Sequence, residues 1–120
     1  KLADTFGLEK FFELDRDFDR SNPEIYDFGI SKASMAVAES GAIVLKDRDT
    51  ADRLATIAPW VHVAVVKKND IVPTISDALE KTVDCPYAIY VAGPSKTTDV
   101  EGVLVEGVHG PGCQVCLIVK

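Results

Sequence analysis

The stretch Val61-His62-Val63-Ala64-Val65-Val66 is a near-continuous apolar run in the middle of the chain. Valine dominates it, and β-branched side chains favour extended backbone. A strand that is apolar on both faces is typical of the interior of a parallel sheet, where helices cover both sides. The run therefore predicts a central parallel strand over residues 61–67, with His62 held in the sheet as a hydrogen-bonded residue rather than as a ligand.

Three further apolar runs, at residues 42–46, 87–92 and 113–119, have the length and composition of strands. Between them, apolar residues recur at helical spacing over residues 73–83, which predicts a helix there. This alternation predicts βαβ units with right-handed crossovers. The sequence therefore predicts an α/β fold with a mostly parallel sheet and flanking helices.

A polar loop at residues 93–102 follows one of the predicted strands. Thr98 and Glu101 have the spacing of a capping box, which predicts a short helix that begins just after Thr98 and has Leu104 on its inner face. Unpaired N–H groups at a helix N-terminus favour an anion, and the loop adds hydroxyls and a lysine. The alternative is a well-capped turn without a ligand. The predicted binding residues, which include one glycine of an earlier turn, are Gly41, Gly93, Ser95, Lys96, Thr97, Thr98, Asp99 and Glu101.

Glu39 is the first of two candidate catalytic residues. It lies between two apolar runs and shortly before Gly41, which permits tight backbone geometry. A carboxylate in that position is predicted to be part-buried, to have a shifted pKa and to accept hydrogen bonds. The alternative is an exposed acid in a turn.

His109 is the second candidate catalytic residue. It lies in a glycine-rich loop at residues 107–112. A histidine flanked by flexible positions suits proton transfer or ligand contact, although the glycines and proline also fit a simple bend. Because ligands of α/β sheets bind at strand ends, this loop and the loop at 93–102 are expected to face a common crevice.

The composition is that of one soluble globular domain of 120 residues. Nineteen acidic and 13 basic residues give a net charge of −6, which argues against nucleic-acid and anionic-membrane binding. No apolar run reaches the roughly 20 residues of a membrane helix, and no secretory signal is visible. An odd count of 3 cysteines fits a reducing compartment, so a cytoplasmic location is expected.

Two patterns resemble metal sites and fail on inspection. The acidic run at residues 15–19 mimics the start of a calcium loop, but Arg20 and Tyr26 stand where glycine and glutamate are required. Cys113 and Cys116 form a CxxC pair, yet residues three apart in a strand point to opposite faces. We therefore expect neither a metal nor a cofactor in this chain.

Four separated motifs, taken together, resemble the LUD domain of the lactate utilisation protein C family, also described as a domain of unknown function. They occur in that family's order and spacing over about residues 26–120. The motifs are Ala38-Glu39-Ser40-Gly41, Ile71-Val72-Pro73, Gly93-Pro94-Ser95 with Thr98-Asp99-Val100-Glu101, and Gly107-Val108-His109-Gly110-Pro111. The resemblance divides the chain into an N-terminal segment of uncertain structure, residues 1–25, and a LUD-like α/β domain, residues 26–120. Only the short segment stands where the family has a longer N-terminal half.

The resemblance implies a fold like that of the ribose-phosphate isomerase and CoA transferase superfamily. It also implies a part in the oxidation of L-lactate to pyruvate, with an iron–sulfur cluster carried by partner proteins. This chain has no ferredoxin-type run of cysteines to hold a cluster itself. In addition, Glu39-Ser40-Gly41 is similar to the Ser-Glu-Asn-Gly motif of CoA transferases, whose glutamate is the nucleophile.

The sequence is therefore compatible with three functions. The first is a cytoplasmic subunit of lactate utilisation that binds a small organic anion together with iron–sulfur partners. The second is a CoA- or acyl-transferring enzyme with Glu39 as its nucleophile. The third is a non-catalytic docking module. Whether the chain is an enzyme, and whether it forms a homo-oligomer, are left open by the sequence.

Overall fold

The structure is a computed structural model that describes residues 7, 19, 21–46, 53–94, 96–98, 101–106 and 110–120. Strands make up most of the regular structure in these residues. In chain order they are β1 (Phe28–Lys32), β2 (Met35–Val37), β3 (Ile43–Lys46), β4 (Val61–Lys67), β5 (Ile71–Val72), β6 (Ala88–Val91), β7 (Lys96–Thr98), β8 (Leu104–Glu106) and β9 (Cys113–Val119). The helical elements are α1 (Ile75–Glu80) and 3₁₀ turns at Pro23–Ile25, Leu54–Thr56 and Lys68–Asp70.

A three-stranded parallel sheet has the order β1-β4-β9. The valine-rich strand β4 lies in its centre, as the sequence predicts, and the bounds of β4 and β9 match the predicted ones. Ala64, Val65 and Val66 are buried because neighbouring elements cover both faces of β4 at these positions. The α/β class with a parallel sheet is thereby confirmed.

A glycine in β1 lets a 3₁₀ turn lie directly on the parallel sheet. A Cβ atom added at Gly29 would lie 1.8 Å from the carbonyl oxygen of Ala55, inside the turn Leu54–Thr56. Close approach of another backbone is a common reason for glycine within a strand.

A second sheet has the order β5-β2-β3-β6 and is mixed. Strand β2 pairs parallel with β5, whereas β3 pairs antiparallel with both β2 and β6. The sequence predicts that the strands at residues 42–46 and 87–92, which correspond to β3 and β6, belong to the parallel sheet, and this prediction is wrong. The connection at residues 38–42 is far shorter than the dozen or so residues that a parallel crossover needs, so β2 and β3 form a hairpin.

The two sheets share one chain segment and one core. After β1, the Ala33 N–H donates to the Val65 carbonyl at 2.8 Å, and the Ser34 N–H donates to the Val44 carbonyl at 2.9 Å. The chain thus passes from the parallel to the mixed sheet between two residues. A cluster of small and branched side chains fills the space there: Ala33, Ala36, Ile43, Leu45, Ala64 and Val66.

Helix α1 confirms the predicted helix over residues 75–80, whereas the predicted ends at residues 73–74 and 81–83 lie outside it. Thr74 caps it, because its side chain accepts from the Asp77 N–H at 3.2 Å while the Asp77 carboxylate accepts from the Thr74 N–H at 3.0 Å. The hydrogen bond from the Thr74 hydroxyl lowers the pKa of Asp77. Pro73 therefore precedes the cap instead of occupying the first turn. Ala78, on the inner side of α1, is fully buried against the mixed sheet.

The helix predicted after Thr98 is wrong. Strands β7 and β8 form an antiparallel hairpin in which Lys96 is opposite Glu106 and Thr98 is opposite Leu104. Glu101 lies in the turn rather than capping a helix, and Gly102 there has a φ of +80°. Threonines on one arm and a valine on the other favour extended backbone, and glycine adopts the left-handed conformation without strain.

No helix among the residues described is both long and apolar enough to cross a membrane.

Candidate functional site

The carboxyl ends of three strands meet at one edge of the mixed sheet. Strands β2 and β5 run parallel, and β3 runs antiparallel to both β2 and β6, so β2, β5 and β6 share one direction. The last residue pair of β3 and β6 at this edge is Ile43 with Val91, and Gly41 and Gly93 each lie two residues beyond it. Two glycines from separate predicted motifs thus lie at the same edge. In open α/β sheets, ligands bind outside the carboxyl ends of strands.

The turn at residues 38–41 presents Glu39 and Ser40 at this edge. The Val37 N–H donates to the Ala42 carbonyl at 2.8 Å, and the Gly41 N–H donates back to the Val37 carbonyl at 2.9 Å. Gly41 has a φ of +69°, in the left-handed region that favours glycine. The glycine after Glu39-Ser40 is therefore needed to close the hairpin tightly.

Glu39 is exposed, so its predicted burial is wrong. The tip of a four-residue turn projects beyond the sheet, and nothing in the described residues covers it. The predicted hydrogen bonding is confirmed, because Glu39 Oε1 accepts from the Ile75 N–H at 2.6 Å. Ile75 begins α1, and its N–H is one of the groups that a helix leaves without an internal partner. The carboxylate is therefore fixed at the helix N-terminus, where the helix dipole favours a negative charge.

Gln114 fastens the end of β6 to β9. Its Oε1 accepts from the Gly93 N–H at 2.9 Å, and its Nε2 donates to the Val91 carbonyl at 3.4 Å. Gly93 itself has a φ of +92°. Sequence reasoning missed Gln114, although a single amide inside the otherwise apolar run at residues 113–119 was a usable signal.

The other predicted binding residues are distributed differently from the prediction. Lys96, Thr98 and Glu101 are exposed on the β7–β8 hairpin, and Thr97 contributes backbone to the same strand. Because this segment is a hairpin, it does not offer the helix N-terminus on which the predicted anion site was based. Three predicted site residues lie outside the described part of the chain: Ser95, Asp99 and His109.

A buried histidine–serine pair crosses from β4 to β1. His62 Nε2 lies 2.8 Å from the Ser31 Oγ, and His62 has no exposed surface. Its Nδ1 has no hydrogen-bond partner among the residues described. Burial lowers the pKa of His62, since a charged imidazole is poorly solvated there. The predicted hydrogen-bonded sheet histidine is thus confirmed for one of its two ring nitrogens.

Within the described ranges, no group of three or more histidine, cysteine, aspartate or glutamate side chains is placed to hold a metal ion. Cys113 and Cys116 are free and exposed on the unbroken strand β9, three residues apart, so they point to opposite faces. Partial burial of its thiol against neighbouring residues nevertheless raises the pKa of Cys116.

Several curated proteins that carry the name lactate utilization protein C are similar to this chain. The protein from Bacillus subtilis strain 168 is 36% identical, with 69% of this chain and 38% of that protein covered. The one from Halalkalibacterium halodurans is 30% identical, with 97% of this chain and 57% of that protein covered. The chain thus spans between about 38% and 57% of the length of these two relatives.

A solved structure has the same fold. It is the crystal structure of a DUF162 family protein from Deinococcus radiodurans, with a TM-score of 0.62 and 22% sequence identity. The superposition covers 85% of this chain and 58% of that chain. At this identity the likeness concerns the fold alone.

A model of the LUD domain matches residues 4–119, which is nearly the whole chain. The match agrees with the four motifs and with the named relatives. The chain therefore belongs to the LUD domain family.

Proposed function

We propose that this chain acts in lactate utilisation and binds a small organic anion at the edge where β2, β5 and β6 end. The names of the relatives support the pathway. The observation that carries the site is the meeting of the Glu39–Ser40–Gly41 turn and Gly93 at one carboxyl-end edge. The reaction in view is the oxidation of L-lactate to pyruvate, in which iron–sulfur partner proteins take the electrons.

Positive charge for the anion comes from Lys96 in this proposal. Glu39 already occupies the Ile75 N–H, so the N-terminus of α1 has its charge partner and is a poor second anion site. Lys96 is exposed on β7, three residues after Gly93 and therefore close in sequence to the edge. A lysine placed there attracts a carboxylate and selects against neutral ligands.

The test is calorimetric titration of L-lactate, pyruvate and phosphate into the wild-type chain and into two variants. Lys96→Ala is expected to weaken carboxylate binding. Lys32→Ala, which removes an exposed lysine at the end of β1, is the matched control and is expected to bind as the wild type does. Circular dichroism verifies that both variants fold. If the wild type binds none of the ligands, or if the two variants bind equally well, the anion site fails and the docking-module function gains.

A second candidate function is CoA or acyl transfer with Glu39 as nucleophile. Its support is the exposed carboxylate, which is held in a fixed orientation by the Ile75 N–H. In the first step the carboxylate oxygen forms a bond to the thioester carbonyl carbon of an acyl-CoA, the carbon–sulfur bond breaks, and CoA leaves as a thiolate. The product is an acyl–glutamyl anhydride, which the thiolate then opens at the glutamyl carbon to give a glutamyl–CoA thioester and a free carboxylate.

Intact mass measured after incubation with acetyl-CoA tests this second candidate. A covalent increment on the wild type that is absent from Glu39→Gln supports it. An unmodified mass under all conditions, with the chain folded, excludes Glu39 as a nucleophile toward this substrate. The amide is the appropriate control because it keeps the size and the hydrogen-bond acceptor while removing the nucleophilic charge.

Iron–sulfur partners are the third part of the proposal. Affinity capture from an extract of lactate-grown cells, followed by iron and acid-labile sulfide analysis of the captured proteins, tests it. Capture of an iron–sulfur protein by the wild type supports docking. If Lys96→Ala captures the same protein equally well, docking and anion binding use different surfaces.

A further inference from the structure

Among the residues that the structure describes, strand β9 forms an open edge of the parallel sheet. It is the last strand in the order β1-β4-β9, and it is seven residues long. None of these residues is charged, and the strand contains no proline. Its side chains are largely exposed, with 37% of Val115, 39% of Leu117 and 60% of Ile118 accessible. Proteins normally blunt such edges with lysine, proline or a bulge, because an open apolar edge pairs with other strands.

The backbone groups that face outward can be identified from the pairing with β4. The Cys113 N–H donates to the Trp60 carbonyl, so Cys113 and every second residue after it bond to β4. Gln114, Cys116 and Ile118 therefore point their N–H and C=O groups away from β4. No strand in the described part of the chain pairs with that side.

We propose that a second copy of this chain pairs with β9, antiparallel and across a two-fold axis through Cys116. In this register Gln114 lies opposite the partner's Ile118, and Cys116 lies opposite the partner's Cys116. The three outward-facing residues then pair only among themselves, each pair exchanging both of its hydrogen bonds. An axis one residue away in either direction would leave one of them opposite a residue outside the strand.

The side chains also favour this register. Residues directly opposite each other in an antiparallel pair have their side chains on the same face of the sheet. A two-fold axis through a residue satisfies this, whereas an axis between two residues would place residues from different faces of β9 opposite each other. Val115 thus lies beside the partner's Leu117, which extends the apolar face of the sheet across the axis. Because β9 carries no charge, antiparallel self-pairing opposes no like charges, which is what a strand built to meet its own copy requires.

A single pair of strands buries less surface than the roughly 1,200 Å² of a stable complex, so the dimer is expected to be concentration-dependent. Its register is nevertheless sharply defined. Opposed residues of a hydrogen-bonded antiparallel pair have Cα atoms about 5.5 Å apart, so the two Cys116 thiols are within cross-linking reach. The two Cys113 residues, six positions out of register, are about 20 Å apart.

Two single-cysteine chains test the register. The first, Cys85→Ser with Cys113→Ser, retains Cys116, and the second, Cys85→Ser with Cys116→Ser, retains Cys113. A short bismaleimide is expected to convert the first to a cross-linked dimer and to leave the second monomeric. Equal cross-linking of both chains, or of neither, overturns the proposal, since both thiols are exposed on the same strand.

Sedimentation velocity of the unmodified chain under reducing conditions supplies the second measurement. With rising concentration, the mass is expected to move from 13.0 kDa toward about twice that value. Ile118→Pro removes an outward N–H without touching the ladder to β4 and is expected to abolish both the mass shift and the cross-link. Ile118→Lys, which places a charge on the edge, serves if the proline variant does not fold. A one-chain mass at every concentration, or a folded variant that still dimerises, overturns the proposal.

Discussion

Replacing Glu39 by alanine is expected to loosen the N-terminus of α1. In the native turn the Glu39 Oε1 accepts from the Ile75 N–H at 2.6 Å, and the Glu39 N–H donates to the Pro73 carbonyl at 3.1 Å. The side-chain bond joins the β2–β3 turn to the helix that packs on the mixed sheet. Alanine keeps the backbone bond and removes only the carboxylate, so the variant isolates the side-chain contribution.

The size of the effect depends on two contributions. Loss of a side-chain acceptor at a helix N-terminus costs about 0.5–2 kcal/mol. Water reaches the exposed position and replaces part of the bond, so the expected loss in the free energy of unfolding is near the middle of that range, about 1 kcal/mol. The negative charge at the helix dipole accounts for about 0.3–1 kcal/mol of it. Glu39→Gln, which keeps the acceptor and loses the charge, is therefore expected to lie between the wild type and Glu39→Ala.

Urea denaturation followed by circular dichroism measures these differences. Glu24→Ala is the matched control, because it removes an exposed carboxylate from the 3₁₀ turn Pro23–Ile25, away from α1. The three variants are expected to rank, from least to most destabilised, Glu24→Ala, Glu39→Gln and Glu39→Ala. If Glu39→Ala destabilises the chain no more than Glu24→Ala does, the hydrogen bond to Ile75 contributes nothing and the reasoning is refuted.

Three further substitutions test other parts of the structure. Burial lowers the pKa of His62 below 6.5, so at mildly acidic pH the unfolded chain binds a proton that the folded chain does not bind, and the free energy of unfolding falls as the pH drops below about 6.5. His62→Gln is expected to reduce the change of the urea midpoint with pH between about pH 5 and 7.5. A pH dependence of the midpoint equal to that of the wild type would contradict this. Gly29→Ala is expected to lower the unfolding free energy by about 1–3 kcal/mol, since the new Cβ would lie 1.8 Å from the Ala55 carbonyl oxygen; an unchanged melting temperature would show that the 3₁₀ turn moves freely. Gln114→Leu leaves the Gly93 N–H without its acceptor and is expected to cost about 1 kcal/mol, whereas Gln114→Glu keeps that acceptor and is expected to cost less, so equal losses would contradict the bond.

The strands were readily predicted because their signal is local. The runs at 61–67 and 113–119 are long and rich in β-branched residues, and the structure gives strands with those bounds. Pairing is a different matter, since it depends on which strands meet in space. The hairpin of β2 and β3 results from a connection that is too short for a parallel crossover.

The capping motifs show where a local pattern is ambiguous. Thr98 and Glu101 have capping-box spacing, yet the segment is a hairpin, because its threonines and valines prefer extended backbone and Gly102 closes the turn. Thr74 and Asp77 have the same spacing and do cap a helix. The two segments differ in the residues that come after the threonine: β-branched residues after Thr98, and the apolar helical spacing of α1 after Thr74.

The site itself was only partly predictable. Motif spacing identified Glu39, Gly41 and Gly93, but their meeting at one edge depends on the antiparallel register of β3 and β6, which the sequence does not state. The exposure of Glu39 depends on the four-residue turn that carries it. Gln114 acts through contacts with a strand more than twenty residues away, so no local pattern would reveal its partners.

The hydrogen bond of Glu39 assigns the two candidate functions, anion binding and acyl transfer, to two different residues. While its carboxylate holds the Ile75 N–H, the N-terminus of α1 is already neutralised, so the proposed organic anion takes its counter-charge from Lys96 instead. Acyl transfer instead needs the carboxylate of Glu39 itself. Lys96→Ala should therefore weaken carboxylate binding and leave any covalent adduct in place, whereas Glu39→Gln should remove the adduct while the lysine still attracts the anion. A chain in which both substitutions remove both activities would show that Lys96 and Glu39 act on one bound molecule, and one in which neither substitution matters would place the function on another surface.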